Sequence, residues 1–478
     1  MVPLRAVVVG AGISGLAFAH RLHVLAQQAG RPLELTLLES SNHAGGVIAT
    51  LRHEDCLLET GPDCWAGNKP AGVSLCRELG LQDQLIGTRA GLRRSFILHK
   101  GKLQRLPEGF FLISPMSVGA LLATPLLTFA GKLRMGLDLL RPARRDTGDE
   151  SLADFVRRRF GREALERIAQ PMVAGIYNAD PEKLSLQATF PQFLEMERNH
   201  GSVIRALRKK AAAEARSGTS SGAEIAKAAG PRYGMFVSLA RGMSTLPDAL
   251  VAALPQGCLH LNTPVTGLTQ AGGTWQVKTA SGQHTADLVC LALPAHASAR
   301  LLQPAHAQAG AALAAFEYGG ATVVNFVFDR VQVKHAMDGM GAVIPVVEGR
   351  DIVAFSFSSV KFEGRAPEGK AVVRVFMGGA LHPRLSGLST DALAEVALRE
   401  LRDLVGIEGQ PRFTFAATHD QAMAQYHVGH LERVKQARNL LAGIGGLSVI
   451  GNAFDGVGIP DCIRGAEEAA RQALATAR

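Results

Sequence analysis

Three glycines near the start of this 478-residue chain are the residues best suited to chemistry. Gly10, Gly12 and Gly15 form a G-x-G-x-x-G motif. The motif follows a strand-like run at residues 4–9 and precedes a helical stretch that ends near Gly30. The first glycine permits a tight turn, the second lets the backbone approach a pyrophosphate, and the third allows the helix to pack closely on the strand. The motif in this position predicts a phosphate-binding turn at a helix N-terminus.

An acidic residue ends the next predicted strand. Residues 33–38 are typical of a strand, and Glu39 follows them where a carboxylate can accept hydrogen bonds from ribose hydroxyls. A lone glycine motif is weak evidence, whereas the succession of strand, glycine turn, helix, strand and acid is specific for a dinucleotide. No second unit of this kind follows, because the glycine-rich run at 443–446 precedes a strand. We therefore predict one dinucleotide, with oxygen or a quinone as the final electron acceptor.

Composition and net charge restrict which other molecules the protein is expected to bind. Lys and Arg total 51 against 42 Asp and Glu, a diffuse net charge of +9, and six cysteines are too few for a disulfide scaffold. We predict no nucleic-acid partner from this charge, and no metal site, because His427 and His430 lack further ligands nearby. The excess of positive charge fits an anionic substrate or an anionic membrane surface. The strand-like run directly after Met1 predicts a fold that starts at the N-terminus, in a reducing compartment.

One apolar segment could lie against a membrane. Residues 110–130 contain no charged side chain, but Pro115 and Pro125 should break the run into short helices. Basic residues cluster after it, at 141–145 and 157–159. Short apolar helices beside basic ones are typical of a monotopic surface element. The pattern predicts a cytoplasmic protein attached peripherally to the inner face of the cell membrane. A substrate-tunnel wall and a spanning helix are the alternative interpretations.

A second glycine pair favours FAD over a nicotinamide dinucleotide. Gly45 and Gly46 follow Glu39 and resemble the G-G-R fingerprint of the flavin amine oxidase superfamily, with Val47 in place of the arginine. Further blocks resemble one branch of that superfamily, the protoporphyrinogen oxidase family. These blocks are specific only when taken together, and they lie at residues 175–181, 184–185, 188–191, 197–202, 242–247, 293–296, 425–430 and 451–463.

The resemblance implies an FAD-dependent enzyme of haem synthesis that oxidises protoporphyrinogen IX to protoporphyrin IX in successive two-electron steps. Oxygen would accept the electrons and leave as peroxide. Coproporphyrinogen III oxidation by the same fold is a close alternative, and a flavin amine oxidase, a carotenoid desaturase or a tetrapyrrole-binding carrier stay open. No Tyr or Trp follows Tyr426, which argues against an aromatic amine site. A homodimer is also left open.

The resemblance also implies the site residues. Substrate contacts would come from Arg94, Gly175, Met340, Val343 and Phe376, and no catalytic side chain is predicted, because flavin takes the hydride. Arg94, next to Arg93, would pair with a propionate, although the family's usual position is Ser95. The predicted FAD contacts are Gly10, Gly12, Ser14, Gly15, Glu39, Ser40, Gly45, Gly46, Gly61, Pro62, Val265, Asn452, Gly456, Val457, Gly458 and Ile459.

The predicted fold class is α/β, with a discontinuous Rossmann-like FAD-binding domain, a mixed α/β substrate domain and a helical membrane-associating domain. The FAD domain is discontinuous because a late strand and helix after residue 447 should close the site that the N-terminal unit opens. The N-terminus of that helix could stabilise negative charge on reduced flavin. The predicted limits are 1–90, 232–300 and 436–478 for the FAD domain, 91–108 and 301–435 for the substrate domain, and 109–231 for the helical domain.

Overall fold

A computed structural model describes residues 2–92, 94–106, 110–217 and 236–477 of the chain. Arg93 lies outside the described residues, as do the domain limits predicted near 108 and 231. Two sheets and a helical region organise the described part.

The parallel sheet lies at the centre of the dinucleotide unit. Its two predicted N-terminal strands have the bounds expected from the sequence, and both faces of the first strand are buried, as in a sheet covered by helices on both sides. Its strands come from distant parts of the chain, so the unit is discontinuous. Within the described residues their spatial order is Leu259–His260, Leu33–Leu38, Leu4–Val9, Leu288–Leu291 and Leu447–Val449.

Two helices that begin at glycine turns pack against each other on this sheet. The first helix is Ile13–Gln28, and the C-terminal helix is Ile459–Thr476. Arg21 of the first helix joins them, because its guanidinium donates to Glu467 at 2.9 Å and to Glu78 at 2.6 Å. The strands that precede the two helices run parallel in the sheet, so both helix N-termini lie at the same end of it.

The mixed sheet forms a second layer. One face packs on the helix Thr390–Val405 in an apolar core that includes Phe355 and Val375. The opposite face, with Val343 and Phe376, is turned toward the dinucleotide unit. The strands of this sheet within the described residues are, in spatial order, Phe413–Ala424, Tyr318–Asp329, Lys370–Met377, Ala354–Phe357, Gly341–Val343, Phe96–His99 and Lys102–Arg105.

The helical region lies between residues 110 and 217. The apolar run is interrupted as the prolines predicted, but it begins with a two-residue hairpin, Phe110–Phe111 with Ser114–Pro115, rather than a helix. Leu112 takes a positive φ of 50° in the turn, which ends any helix there. Among the described residues, no helix is long and apolar enough to cross a bilayer. The helices are Val118–Ala123, Phe129–Gly136, Leu152–Arg159, Arg162–Ala164, Gln170–Tyr177, Leu186–Thr189, Pro191–His200 and Val203–Ser217, with a π-helical turn at Leu165–Ala169.

Smaller elements connect these layers. Turns at Gly272-Gly273 and Ser281-Gly282 join the strands of an antiparallel meander, Val265–Ala271, Thr274–Thr279 and Gly282–Ala286. The hairpin Thr50–His53 with Cys56–Glu59 leads to the Gly61 segment. In the part of the chain that the structure describes, the remaining strands are Trp65–Ala66, Leu85–Gly87 and Phe236–Leu239, and the remaining α-helices are Pro70–Glu78, Thr245–Ala252, Ala295–Leu302, Ala307–Ala314, Ser358–Lys361 and His430–Ala442.

Candidate active site

At two positions of the first motif, close backbone contacts leave room only for glycine. Gly10 has a φ of 99°, and a Cβ added there would lie 2.7 Å from the carbonyl oxygen of Ala292. A Cβ added at Gly15 would overlap the carbonyl oxygen of Gly10. Any side chain at either position would therefore push the first helix away from the parallel sheet.

Gly12 differs, because it borders open space. A Cβ at Gly12 would meet no described residue within 4 Å, and no described side chain caps the first helix that begins after it. Gly46 lies opposite, since a Cβ there would come 3.3 Å from the Gly12 Cα, and the Gly45 amide donates to Ala11 at 2.8 Å. Bare backbone and uncapped helix amides are what a pyrophosphate requires. We name Gly10, Gly12, Gly15, Gly45 and Gly46 the glycine cradle.

Glu39 is held rigidly at the end of its strand. One carboxylate oxygen accepts the Ala11 amide at 2.7 Å, and the other accepts the Ser41 amide at 2.8 Å and the Ser40 hydroxyl at 3.2 Å. Burial alone would raise the pKa of Glu39, but these hydrogen bonds outweigh it, and the pKa lies below its ordinary value. The carboxylate is thus ionised and fixed in orientation at the end of its strand, where it could accept hydrogen bonds from ribose hydroxyls. Thr263, two residues before Val265, donates its amide to the Glu39 carbonyl at 2.7 Å.

The C-terminal residues come to the same end of the sheet. The C-terminal helix begins at Ile459, without a capping side chain among the described residues, directly after Gly458. Gly456 has a φ of 134°, and a Cβ there would lie 2.5 Å from the Asp461 Cγ, so this turn requires glycine. The uncapped N-terminus supplies donors and positive potential. Residues 456–459 therefore fit the part of FAD that gains negative charge when it is reduced.

Asn452 is tied to two tyrosines. Its carbonyl oxygen accepts the Tyr426 hydroxyl at 2.7 Å, and its Oδ1 accepts the Tyr318 hydroxyl at 3.4 Å. The rings of Tyr426 and Tyr177 lie 6.4 Å apart between centroids, and burial raises the pKa of Tyr177 to about 12. The absence of Tyr and Trp after Tyr426 argued against an aromatic site here. Tyr177 reaches this place from the distant helical region, so only the fold reveals the pair.

The Gly61-Pro62 segment joins the cradle to the mixed sheet. A Cβ at Gly61 would overlap the carbonyl oxygen of Val47, the residue after the second glycine pair. From the other side, His419 lies 2.8 Å from the Thr60 oxygen, and the Arg374 guanidinium donates to the Gly61 oxygen. The structure thus places this predicted cofactor segment between the FAD half and the mixed sheet.

Val343 and Phe376 share one face of the mixed sheet. Val343 pairs with Ala354, and Ala354 pairs with Phe376, so the three side chains form a row across neighbouring strands. Gly175 lies over this row, because a Cβ there would be 3.8 Å from Val343 Cγ1. Gly175 is exposed, and the adjacent Ile176 is 46% exposed within a mostly buried helix. These residues therefore border an open space, and Ile176 joins the predicted contacts.

Arg94 precedes the strand Phe96–His99, and Met340 precedes the neighbouring strand Gly341–Val343, so the two residues lie together at one end of the mixed sheet. The Met340 amide donates to the Arg94 carbonyl at 2.7 Å, and Met340 is half-buried. The Arg94 side chain is 49% exposed and lies 3.9 Å from Asp338, which also pairs with Arg105 at 2.8 Å. Two guanidinium groups thus share one carboxylate. Arg93 lies outside the described residues.

Two departures from the family pattern have different consequences. Val47 is 41% exposed, so an apolar side chain occupies the place of the missing arginine. The turn after the Gln170–Tyr177 helix, by contrast, does not need glycine at Ala179. Asn178 takes the left-handed conformation instead, with a φ of 47°, and ends the helix.

A family model described as flavin containing amine oxidoreductase matches residues 13–474. The chain belongs to this family. FAD is therefore its cofactor, as the sequence predicted, and its fold and enzyme class are those of a flavin-dependent oxidoreductase. The glycine cradle, Glu39 and the C-terminal helix are the residues that fit this group.

More specific similarities point to porphyrinogen oxidases. A coproporphyrinogen III oxidase from Bacillus subtilis strain 168 is 32% identical, over 98% of this chain and 97% of that protein. A chloroplastic protoporphyrinogen oxidase from Nicotiana tabacum is 30% identical, over 98% and 85%. A crystal structure reported as a candidate protoporphyrinogen oxidase from Exiguobacterium sp. 255-15 has a TM-score of 0.86 at 28% identity and covers 99% of both chains. The resemblance seen in the sequence is confirmed at the level of the family.

Proposed function

We propose that this protein oxidises a porphyrinogen to the porphyrin. The observation that supports this most directly is that Gly175 and Ile176 are exposed and lie against the apolar Val343–Phe376 row of the mixed sheet. The surface that these residues form is apolar and carries no side chain at Gly175, and Phe376 contacts Arg374, which donates to the Gly61 carbonyl. A broad apolar surface suits a large, apolar tetrapyrrole better than a small amine.

Arg94 and Arg105, two arginines at the edge of the proposed substrate site, would bind the propionates of the porphyrinogen. Arg94 and Arg105 share Asp338, so one positive charge there is not neutralised. Arg pairs with a carboxylate through two parallel hydrogen bonds and would fix the orientation of the macrocycle. Protoporphyrinogen IX is the substrate expected from the sequence. Coproporphyrinogen III is the second candidate, because it has more propionates for a second arginine, and because the Bacillus subtilis relative bears that name.

The protein residues would orient the substrate rather than take part in covalent chemistry. Bound FAD supplies the acceptor for hydride. Gly175, Val343 and Phe376 would hold a methylene carbon of the porphyrinogen against it and exclude water, which is the contribution that proximity makes to the rate. Oxygen would reoxidise the flavin, with peroxide as product, in haem synthesis.

The experiment offers both porphyrinogens to the holoenzyme in parallel. Each is prepared anaerobically and mixed with air-saturated enzyme, and porphyrin fluorescence is followed against an enzyme-free control. Faster oxidation of protoporphyrinogen IX supports the first candidate, and the reverse preference supports the second. An aliphatic amine serves as the third substrate. Peroxide release with the amine, and no acceleration with either porphyrinogen, would overturn the proposal.

We also propose that the helices Val118–Ala123 and Phe129–Gly136 touch a membrane surface. Leu122, Phe129 and Leu133 are 60%, 74% and 59% exposed, and Phe129 and Leu133 are four residues apart on one side of their helix. Leu140 is 81% exposed nearby, and basic residues follow it. Apolar side chains beside cations are suited to insertion among anionic lipids.

Vesicle binding tests this contact. The protein should sediment with vesicles that contain phosphatidylglycerol, and the combined variant Leu122→Ser, Phe129→Ser and Leu133→Ser should not. Val331→Ser is the matched control, because Val331 is 87% exposed on another part of the surface. Equal sedimentation of the combined variant and its control would contradict the proposal.

A further inference from the structure

A buried ionic cluster lies next to the Gly61 segment, and the site described above makes no use of it. Lys361 donates to both carboxylate oxygens of Asp63, at 2.9 and 3.1 Å. Arg374 Nη1 lies 3.5 Å from Asp63 Oδ1, and Nη2 donates to the Gly61 carbonyl. The Arg374, Asp63 and Lys361 side chains are only 2%, 11% and 14% exposed. We call these three residues the buried cluster.

The buried cluster has one surplus positive charge. Burial alone would raise the pKa of Asp63, but Lys361 and Arg374 hold it below its ordinary value. Burial would lower the pKa of Lys361, but the charge of Asp63 outweighs it and raises the pKa. Asp63 and Lys361 are therefore ionised at neutral pH, and Arg374 adds the charge that every guanidinium carries, so two cations face one carboxylate. Arg365 does not change this balance, because it lies 3.7 Å from its own partner, Glu59.

Arg374 keeps hydrogen-bond donors without acceptors. Its Nε and Nη1 atoms are buried and make no hydrogen bond with any described residue. Its guanidinium lies 4.7 Å above the ring of Phe376, on the face of the mixed sheet that borders the site. Unpaired donors of a buried charged group are costly. They point to an acceptor that is not part of the chain.

The Gly61 segment connects the buried cluster to the FAD site. Gly61 accepts a hydrogen bond from Arg374 and packs against the backbone of Val47. Val47 directly follows Gly45 and Gly46 of the glycine cradle. The surplus charge is thus linked through Gly61 to Val47, the residue that directly follows the cradle.

We propose that the buried cluster of Asp63, Lys361 and Arg374 supplies a fixed positive charge that stabilises reduced, anionic FAD and raises its reduction potential. Oxidised FAD accepts two electrons and one proton, together one hydride, and gains one negative charge. The substrate loses that hydride and is oxidised. A charge close to the ring system is one of the levers by which a protein tunes a flavin, and it acts strongly where water is excluded. The uncapped N-terminus of the C-terminal helix adds potential of the same sign.

The midpoint potential of FAD in the purified holoenzyme tests this inference, independently of which porphyrinogen is the substrate. Bound FAD is reduced slowly with xanthine and xanthine oxidase against a reference dye. Arg374→Met and Lys361→Met each remove one positive charge, and we expect both to lower the potential. The shift is about 30 mV for each tenfold loss of preference for the reduced form. Arg374→Lys keeps the charge and should stay near the wild-type value.

A fourth substitution distinguishes loss of charge from structural damage. Asp63→Asn removes the negative member, so it should leave the potential unchanged or raise it. A lowering as large as that of Arg374→Met would overturn the proposal. If Arg374→Met raises the KM for a porphyrinogen and leaves the potential unchanged, Arg374 binds a substrate carboxylate and the proposal is wrong. Should Arg374→Met fail to retain FAD, the Lys361→Met potential decides, and a wild-type value would overturn the proposal.

Discussion

The glycine cradle and the wall formed by the mixed sheet are two halves of one site, built in different ways. The cradle exposes backbone and comes from neighbouring stretches of the chain around Gly12 and Gly46. The wall exposes side chains, and its row of Val343, Ala354 and Phe376 comes from separate strands. A local motif can specify the first half, whereas the second depends on strand register. Substitutions should therefore act on cofactor binding in the cradle and on substrate binding at the wall, with little overlap.

The largest expected effect is loss of FAD without loss of the fold. Gly12→Val places a side chain where no described residue lies within 4 Å, so the protein should fold, but the valine should block the pyrophosphate. We expect purified protein with almost no flavin absorbance and a cooperative thermal transition.

Gly15→Val is the contrasting variant within the cradle. Its side chain would overlap Gly10, so we expect it to destabilise the fold by about 3 kcal/mol or more. Gly136→Ala serves as control, since no described residue lies within 4 Å of the added Cβ. A Gly12→Val protein with the normal flavin spectrum would refute the placement of FAD in the cradle.

The next largest effect should come from Glu39→Gln. The variant loses charge-assisted hydrogen bonds to backbone amides and ribose, each of which contributes about 1.5–3 kcal/mol. We expect the Kd for FAD to rise about tenfold to a hundredfold. Flavin fluorescence quenching on reconstitution of the apoprotein measures this, and an unchanged Kd would remove Glu39 from the site.

The pH dependence of folding sharpens the same point. The folded-state pKa of Glu39 is below its ordinary value of 4.5. A group with a lowered pKa contributes stability above the unfolded-state pKa and loses it as the pH falls through the folded-state pKa. The difference in free energy of unfolding between wild type and Glu39→Gln should therefore be constant at neutral pH and shrink below about 4.5. Urea denaturation at several pH values tests this, and a constant difference down to pH 3 would contradict it.

The difference between the glycine cradle and the wall also explains which parts of the structure could be predicted from the sequence. The bounds of Leu4–Val9 and Leu33–Leu38, the C-terminal helix and the cofactor agree with expectation, because glycine spacing and strand–helix succession are local signals. The Tyr177–Tyr426 pair was missed, since its members are far apart in sequence. The role inferred for Arg374 was also invisible, because nothing in a strand sequence says which buried arginine lacks partners. The domain limits and the individual contacts stay predictions.

Arg94→Ala tests the proposed contact between Arg94 and a propionate of the substrate. One charge-assisted bond to a propionate contributes about 1.5 kcal/mol, so the KM for a porphyrinogen should rise about tenfold, with a smaller fall in kcat. Steady-state kinetics by porphyrin fluorescence measure both constants. Arg162→Ala is the matched control, because Arg162 is 83% exposed on the helical region. Equal KM values for the two variants would move the propionate contact elsewhere.

The smallest expected effect is that of Gly175→Ala. It is also the most specific, because the stability of the fold should rise while kcat/KM falls. Gly175 lies in a helix without a positive φ, so Gly175→Ala should stabilise the fold by about 0.5–1 kcal/mol. The added methyl would lie 3.8 Å from Val343, in the space assigned to the macrocycle, so kcat/KM should fall about threefold to tenfold. Gly119→Ala supplies the control, with helix stabilisation far from the wall. Thermal unfolding and steady-state kinetics on the same preparations decide the matter. A stabilised Gly175→Ala enzyme with wild-type kcat/KM would show that substrate does not approach this helix, and the wall would then have to be sought on another face of the mixed sheet.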